Sequence, residues 1–214
     1  MRDLLRDLPV FAQRLPDFDP QDVPGDPFAL FRRWLTAAID AGAVEPHAVH
    51  LATVDADGRP DLRVVILRDV DAAGWQVATS ARSAKGRQLA GNPYAALNFH
   101  WREQARQVRV RGVAEPADAA TNREDFLSRS PGSRIAGLAG RQSDVLTDRA
   151  ELDREFARQR ERVAADPELA NPDHVRYTVV PESVEFWQGD PERRHTRLRY
   201  RRTGEGWTRE LLWP

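Results

Sequence analysis

The apolar residues between positions 26 and 42 recur at the spacing of an amphipathic helix. Most are three or four positions apart, which places them on one helical face: Phe28, Phe31, Leu35, Ala38 and Ile39. Asp26 precedes this run and can accept a hydrogen bond from the first turn, while Pro27 suits the first helical position. Gly42 is a typical C-terminal stop. The pattern predicts a helix between residues 26 and 42.

A different pattern precedes this helix. Residues 1–25 are rich in proline and aspartate and include the runs LPVF and LPDFDP. Both residue types favour turns and extended chain over regular elements. We therefore predict an irregular N-terminal arm over residues 1–25 and a single domain over residues 26–214.

Beyond the helix, β-branched and aromatic residues concentrate in short runs that turn residues separate. The predicted strands cover residues 47–54, 62–70, 75–79, 94–101, 106–113, 175–181, 183–188, about 195–202 and 206–212. The further predicted helices are a short one that Ser83 caps and Asn92-Pro93 ends, and two others over 117–128 and 148–165. Many strands form hairpins, and the strand–helix alternation of a doubly wound sheet is missing. The predicted fold class is α+β, an antiparallel β-barrel with inserted helices.

Composition narrows the functional classes. Of the 214 residues, 41% are hydrophobic and 30% are charged, as in an ordinary soluble globular protein. Basic residues number 32 against 33 acidic ones, and the net charge of −1 argues against a nucleic-acid partner. No apolar run approaches the roughly 18 residues of a membrane helix, and the N-terminus has no signal-peptide pattern. We expect neither nucleic acid nor a membrane as a partner.

Several kinds of site are excluded by the residues that are missing. The chain has no cysteine, which excludes disulfides and thiolate chemistry and fits a cytoplasmic protein. The five histidines lack metal-ligand spacing, since His47 and His50 would face opposite sides of a strand. The motifs G-x-G-x-x-G, G-x-x-x-x-G-K-[ST], H-E-x-x-H and G-x-S-x-G are also absent. We expect no metal site.

Basic residues form a first cluster around a single lysine. Every basic residue but one is arginine, and the exception, Lys85, falls in the first turn of the helix that Ser83 caps. A cation is unfavourable there unless an anion binds, because the N–H groups of a helix start already carry partial positive charge. Arg63, Arg68 and Arg82 lie in the same part of the chain. The cluster is typical either of a phosphate site or of a solvated surface.

A second cluster runs from residue 192 to residue 201. In an extended chain alternate side chains point to one face, which here would hold Arg193, His195, Arg197, Arg199 and Arg201. Such a row needs acidic side chains or bound anions to neutralise it. It indicates either an anion-binding site or a solvated edge strand whose charge discourages aggregation.

Six short segments follow one another in a recognisable order. They are Arg63-Val-Val-Ile-Leu-Arg68, Ser83-Ala-Lys85-Gly, Arg106-Gln107-Val108, Arg141-Gln142-Ser143 and Glu185-Phe-Trp187-Gln-Gly189, followed by Arg193-x-His195-x-Arg197. Each motif alone is weak, whereas the ordered set is specific. From about Asp26 to Pro214 the chain therefore resembles the pyridoxamine 5′-phosphate oxidase family.

The resemblance implies a split β-barrel homodimer that binds FMN at the subunit interface. One subunit would supply the FMN contacts Arg63, Val64, Val65, Ile66, Leu67, Arg68, Ala78, Thr79 and Lys85. The other would supply Gln107, Gln142, Ser143, Trp187 and Arg197. The substrate phosphate would meet Arg68, Arg129 and Ser133. Arg193 and His195, the implied catalytic residues, would hold the substrate ring.

The implied activity is a flavin oxidation of a small phosphorylated molecule. Pyridoxine or pyridoxamine 5′-phosphate would become pyridoxal 5′-phosphate, and O2 would become H2O2. Relatives in phenazine biosynthesis share the FMN residues and R-x-H-x-R but oxidise a dihydrophenazine carboxylate, which is one alternative. A non-catalytic FMN-binding protein is the other, and it would form no H2O2.

The chain departs from the family pattern at four places. Arg68 replaces the usual phosphate-binding lysine, and Ala84 replaces an arginine that precedes the FMN-binding lysine. Asp125 replaces a tyrosine that contacts the substrate phosphate. The arginine and tyrosine that cover the substrate have no clear match in residues 1–25. A carboxylate at position 125 would repel phosphate unless it pairs with Arg68 or Arg129 or points into solvent.

Overall fold

The computed structural model describes residues 1–11 and 13–214. Its helices are α1 (Arg2–Arg6), α2 (Pro27–Asp40), α3 (Ala84–Gly91), α4 (Ala119–Leu127), α5 (Pro131–Ala139) and α6 (Arg149–Ala165). Its strands are β1 (Ala48–Val54), β2 (Pro60–Val70), β3 (Trp75–Ser80), β4 (Tyr94–Trp101), β5 (Arg106–Pro116), β6 (His174–Gln188), β7 (Thr196–Thr203) and β8 (Gly206–Leu211). A 3₁₀ turn over Arg102–Gln104 joins β4 to β5.

Six of these strands close into an antiparallel barrel. Their order is β3-β2-β1-β4-β5-β6, and β3 also pairs with β6, which closes the ring. Strands β7 and β8 extend the sheet beyond β6. Helices α3 to α6 are inserted between strands, while α1 and α2 precede β1, so the predicted α+β barrel is confirmed.

The longest strand, β6, differs from the prediction. The sequence predicts two strands, 175–181 and 183–188, but His174–Gln188 is a single strand of 15 residues. Pro181 and Ser183 pair with consecutive residues of β5, so Glu182 is an extra residue in the ladder. A bulge of this kind lets a strand continue past a proline, which has no N–H to donate. The proline therefore bends the strand without ending it.

Helix α2 begins and ends as the local sequence predicts. The side chain of Asp26 accepts a hydrogen bond from the backbone N–H of Ala29 at 2.9 Å, and Pro27 is the first helical residue. The helix ends at Asp40, and Gly42 follows in the left-handed region with φ of 73°. The residues that predict the two ends of this helix therefore lie at its observed ends.

The apolar face of α2 packs on aromatic residues of three strands. The ring of Phe31 lies 5.3 Å from Trp75 of β3 and 4.8 Å from Phe99 of β4, while Trp34 lies 5.2 Å from Phe186 of β6. All five side chains are buried. Because edge-to-face aromatic pairs add to the burial of apolar area, α2 ties these strands into one core.

Two helices are absent from the sequence prediction. Helix α5 has a capping serine, Ser130, and a proline at its first position, but Gly132 and Gly137 lower its helical propensity. Helix α1 is a short helix without buried residues, inside the arm predicted to be irregular. None of the six described helices has the length and apolar character to cross a membrane.

The N-terminal arm is attached to the barrel by hydrogen bonds to its backbone. Tyr200 donates from its hydroxyl to the carbonyl of Pro24 at 2.8 Å, and Arg106 donates to the carbonyl of Asp17 at 3.3 Å. The ring of Phe18 also lies 4.9 Å from that of Trp34. The division of the chain at residue 25 stays a prediction.

Candidate active site

A cavity of about 850 Å³ lies beside β2 and β3, with α5, α6 and the first turn of α3 in its wall. This volume is within the range of small-molecule sites, about 300–1,000 Å³. Ten of the predicted site residues line it: Val64, Val65, Ile66, Arg68, Ala78, Thr79, Lys85, Arg129, Ser133 and Gln142. The sequence therefore identifies much of the wall.

One region of the wall has a buried positive charge. Lys85 is only 8% exposed, and its Nζ donates to Oε1 of Gln142 at 3.3 Å. Among the described residues no carboxylate forms an ion pair with it. Burial, and then the charge of Arg63, lower the pKa of Lys85. Because the start of α3 also concentrates N–H donors here, this region suits an anion.

The residues before Lys85 explain why α3 starts at this point. Ser83 Oγ accepts a hydrogen bond from the N–H of Gly86 at 3.1 Å and lies 3.2 Å from Oγ1 of Thr79. A Cβ on Gly86 would lie 2.3 Å from the carbonyl oxygen of Ser80. Only glycine therefore lets the helix begin this close to the end of β3.

A second positive region comes from Arg68 of β2 and from Arg129, which follows α4. Burial, and then the charge of Arg68, lower the pKa of Arg129, so the two guanidinium groups act on each other. Ser133 lines the same cavity and accepts a hydrogen bond from the hydroxyl of Ser130 at 3.0 Å. Two guanidinium groups beside a hydroxyl form a second place for an anion.

Asp125 lies against this second region and not in solvent. It is 8% exposed, its Oδ2 lies 2.7 Å from Nε2 of His174, and its Oδ1 accepts from Nε of Arg68 at 3.4 Å. Burial raises the pKa of Asp125, but the hydrogen bond to His174 and the charge of Arg68 outweigh burial and lower it. His174 is absent from the predicted site residues because a lone histidine before a strand carries no signal.

Two of the flavin contacts predicted on β2 do not line the cavity. Arg63 donates to Oγ1 of Thr53 at 2.6 Å, to the carbonyl of Leu51 at 3.1 Å and to Asp61 at 2.5 Å. Leu67 faces the barrel core and is 8% exposed. Arg63 acts on the cavity through its charge near Lys85, and its contact with a ligand stays a prediction.

Gln142 and Ser143 differ from the expectation that the partner subunit supplies them. Both lie beside α3 of the same chain, where Gln142 binds Lys85 and Ser143 Oγ accepts from the N–H of Ala84 at 3.3 Å. Helix α5 ends at Ala139, and Gly140 follows with a φ of 69° that reverses the chain. This reversal returns the segment to α3, so Gln142 and Ser143 lie beside the Lys85 region of their own chain, and their contact with a flavin stays a prediction.

Three other predicted residues form a row across the outward face of the sheet. Gln107 of β5 pairs with Trp187 of β6, which pairs with Arg197 of β7. Glu185 accepts hydrogen bonds from Nε of Arg197 at 2.9 Å and from Arg109 at 2.5 Å. Within the described chain, no residue of this row lines the cavity.

His195 and Arg193 lie in the turn that precedes this row. His195 Nδ1 accepts a hydrogen bond from the N–H of Asp190 at 3.0 Å, so the neutral ring carries its proton on Nε2. Its ring lies 4.9 Å from that of Trp187. Phe11 of the arm is 5.7 Å from the same imidazole, a contact that sequence reasoning missed.

The predicted common face from residue 193 to residue 201 is only partly correct. Strand β7 begins at Thr196, whereas Arg193 has a φ of 68° and donates its N–H to the carbonyl of Asp190. The strand itself aligns Arg197, Arg199 and Arg201. Acidic partners neutralise them, Glu185 for the first and Glu210 for the others.

The sequence matches two family models that together cover most of the chain. Residues 35–163 match the model described as pyridoxamine 5′-phosphate oxidase. Residues 175–214 match the pyridoxine 5′-phosphate oxidase C-terminal dimerisation region. The chain belongs to the pyridoxamine 5′-phosphate oxidase family. This membership confirms the predicted class of flavin-dependent oxidase and the predicted homodimer.

Individual relatives agree with this assignment. The chain is 45% identical over 193 residues to a pyridoxine/pyridoxamine 5′-phosphate oxidase of Ectopseudomonas mendocina, covering 89% of this chain and 90% of that one. It is 44% identical over 214 residues to the enzyme of that name from Burkholderia multivorans, covering 98% and 99%.

Solved structures give the same fold. PhzG from Burkholderia lata, in complex with tetrahydrophenazine-1-carboxylic acid, superposes with a TM-score of 0.87 at 33% identity, covering 94% of this chain and 99% of that one. A related FMN-binding protein of Nostoc punctiforme gives a TM-score of 0.73 at 19% identity, covering 90% and 100%, and shows the fold alone. The predicted split barrel is confirmed.

The buried amine of Lys85 gives a first prediction. Lys85→Gln should weaken flavin binding tenfold to a hundredfold, because a hydrogen bond to a charged group contributes about 2 kcal/mol. Titration of the flavin-free protein, followed by flavin fluorescence, measures this affinity. Arg87→Gln, which removes an exposed charge from the same helix, is the control and should leave the affinity within twofold. Equal affinities for both variants would contradict the assignment.

Proposed function

We propose that this protein is an FMN-dependent oxidase that converts pyridoxine or pyridoxamine 5′-phosphate into pyridoxal 5′-phosphate. The observation that carries the proposal is the cavity with two positive regions, one at Lys85 and one at Arg68 and Arg129. Two phosphate groups require such a pair of regions, one for the cofactor and one for the substrate. The names of the relatives from Ectopseudomonas mendocina and Burkholderia multivorans support the same activity.

A flavin mononucleotide fits the region around Lys85. A buried amine beside the first turn of a helix supplies donors for one phosphate group, and Thr79 lines the same wall. The sequence lacks the glycine fingerprint of a dinucleotide fold, which favours FMN over FAD. Val64 and Ile66 add exposed apolar surface to the same wall, which the flavin ring can cover.

The remaining contacts would come from the partner subunit. Gln107, Trp187 and Arg197 are cross-strand neighbours on an outward face, and two of them belong to the segment that matches the dimerisation region. A two-fold dimer can bring this row of one subunit to the cavity of the other. His195 and Arg193 lie next to the row, so they would reach the same cavity.

The chain's own residues would bind and orient the substrate. The bound flavin would supply a two-electron oxidation in which C4′ loses a hydride equivalent and its hydroxyl or amino group loses a proton, while O2 becomes H2O2. The imine formed from pyridoxamine 5′-phosphate then takes up water and releases ammonia to give the aldehyde. Arg68, Arg129 and Ser133 would bind the phosphate, and the partner's Arg193 and His195 would hold the ring. The N–H of Asp190 donates to Nδ1 of His195, which anchors this imidazole and leaves the Nε2–H of the neutral ring as its hydrogen-bond donor.

One observation favours a second candidate, the oxidation of a dihydrophenazine carboxylate. Asp125 places a negative charge beside Arg68, which disfavours a doubly charged phosphate more than a singly charged carboxylate. The ligand in the PhzG complex, tetrahydrophenazine-1-carboxylic acid, is a carboxylic acid of this kind. The two candidates share the flavin site and differ only in the substrate.

Anaerobic mixing with a small panel of compounds tests the proposal. Pyridoxine and pyridoxamine 5′-phosphate should bleach the flavin absorbance, and O2 should then restore it with one H2O2 for each aldehyde. The unphosphorylated vitamers should react weakly. Bleaching by a dihydrophenazine carboxylate alone would favour the second candidate. A protein that releases FMN on denaturation but reacts with no compound would be a flavin-binding protein without oxidase activity.

Replacement of His195, the candidate catalytic residue, should affect turnover and leave flavin binding unchanged. His195→Asn should retain FMN and slow flavin reduction by about a hundredfold, the lower range for loss of one acid–base group. Stopped-flow bleaching measures the rate, and flavin release measures occupancy. His47→Asn, at an exposed histidine, is the control and should react as the wild type does. A His195 variant with the wild-type rate would show that this imidazole is not catalytic.

A further inference from the structure

A buried carboxylate and a buried histidine stand behind the second positive region. Asp125 of α4 and His174 of β6 are 7% and 3% exposed at their side chains, and Nε2 lies 2.7 Å from Oδ2. The other oxygen of Asp125 faces Nε of Arg68 at 3.4 Å. His174 and Arg68 line the cavity, and Asp125 contacts both of them from behind its wall.

The surroundings hold Asp125 ionised and in place. The ring of His174 packs 5.2 Å from that of Phe126, the residue next to Asp125, which fixes the orientation of the imidazole. The hydrogen bond to this imidazole keeps the carboxylate on the side of Arg68. A fixed negative charge therefore offsets part of the positive charge that Arg68 and Arg129 present to a ligand.

We propose that Asp125, oriented by His174, determines the charge of the acid group that this cavity accepts, and lowers its affinity for a doubly charged phosphate relative to a singly charged acid. The inference rests on the proposed function, since it takes the region of Arg68 and Arg129 as the substrate's anion site. Asp125 is a specificity residue within that site, and His174 is a positioning residue that acts through it.

The physical basis is that repulsion by a fixed charge is proportional to the charge of the ligand. Loss of Asp125 should therefore lower the logarithm of KM twice as much for a dianion as for a monoanion. An uncharged ligand should be unaffected. This ratio identifies an electrostatic effect, because a change in the shape of the cavity would alter the binding of all three ligands.

The experiment compares three ligands that share one ring. They are pyridoxine 5′-phosphate, its singly charged methyl phosphodiester, and uncharged pyridoxine. Asp125→Asn, with FMN bound, should lower KM about tenfold for the phosphate and about threefold for the phosphodiester. A tenfold change corresponds to about 1.4 kcal/mol, and half of that free energy corresponds to about threefold. The KM of pyridoxine should stay within twofold, and kcat should change little for all three.

Glu124→Gln is the matched control. It removes the same charge from the neighbouring residue of α4, which is exposed, and should change each KM less than twofold. His174→Gln keeps a donor for Asp125 and should behave as the wild type does, whereas His174→Phe should move the three KM values in the direction of Asp125→Asn. Should the asparagine variant fold poorly, Asp125→Ser gives the same comparison.

Two results would overturn the inference. One is an equal change for the three ligands, which would mean that Asp125 only shapes the cavity. The other is weaker binding of pyridoxine 5′-phosphate by Asp125→Asn, which would mean that Asp125 serves to orient Arg68. Failure of the proposed function is distinguishable, because it shows in the wild-type protein itself as binding of these ligands beside the flavin without turnover. Their dissociation constants, read from the flavin absorbance, then replace KM in the same comparison.

Discussion

The pairing of β6 with three other strands determines how far apart the cavity and the outward row lie. Its first residues pair with β3 and bring His174 to the cavity, whereas its last residues pair with β7 and carry Trp187 on the outward row. These two residues are 13 positions apart in one strand, on the order of 40 Å along a chain that rises about 3.3 Å per residue. Within one subunit, the cavity therefore lies far from the row of Gln107, Trp187 and Arg197. A homodimer can bring the row of one subunit to the cavity of the other.

Charge pairing distinguishes the Lys85 region of the cavity from the outward row. On the outward face, Glu185 forms ion pairs with Arg197 and Arg109. Among the described residues, the partner of Lys85 is the neutral amide of Gln142. Burial of a cation is not sufficient for a site. Burial, and then the charge of a nearby arginine, lower the pKa of Arg106 to about 10, yet this guanidinium lies over the ring of Trp34 and has an amide acceptor of its own. A binding site needs a cation that faces open space.

The sequence predicts what depends on local chemistry and misses what depends on distant residues. The caps of α2 and of α3, at Asp26 and Ser83, follow from side chains a few positions away from the N–H groups they bind. The bond between Asp125 and His174 joins residues 49 positions apart, and only the packing of α4 on β6 brings them together. Likewise, periodicity places Arg193 in an extended row, because it cannot anticipate a left-handed turn at a non-glycine residue.

The central claim is that each site combines the cavity of one subunit with the row of the other. Hybrid dimers test it most directly, with Lys85→Gln in one chain and His195→Asn in the other, co-expressed under two affinity tags and purified by both. At subsaturating flavin both parent dimers should be nearly inactive. A shared site predicts that the hybrid regains about half of the wild-type activity, because one of its two sites then contains both native residues. A hybrid as inactive as its parents would show that each site lies within a single chain.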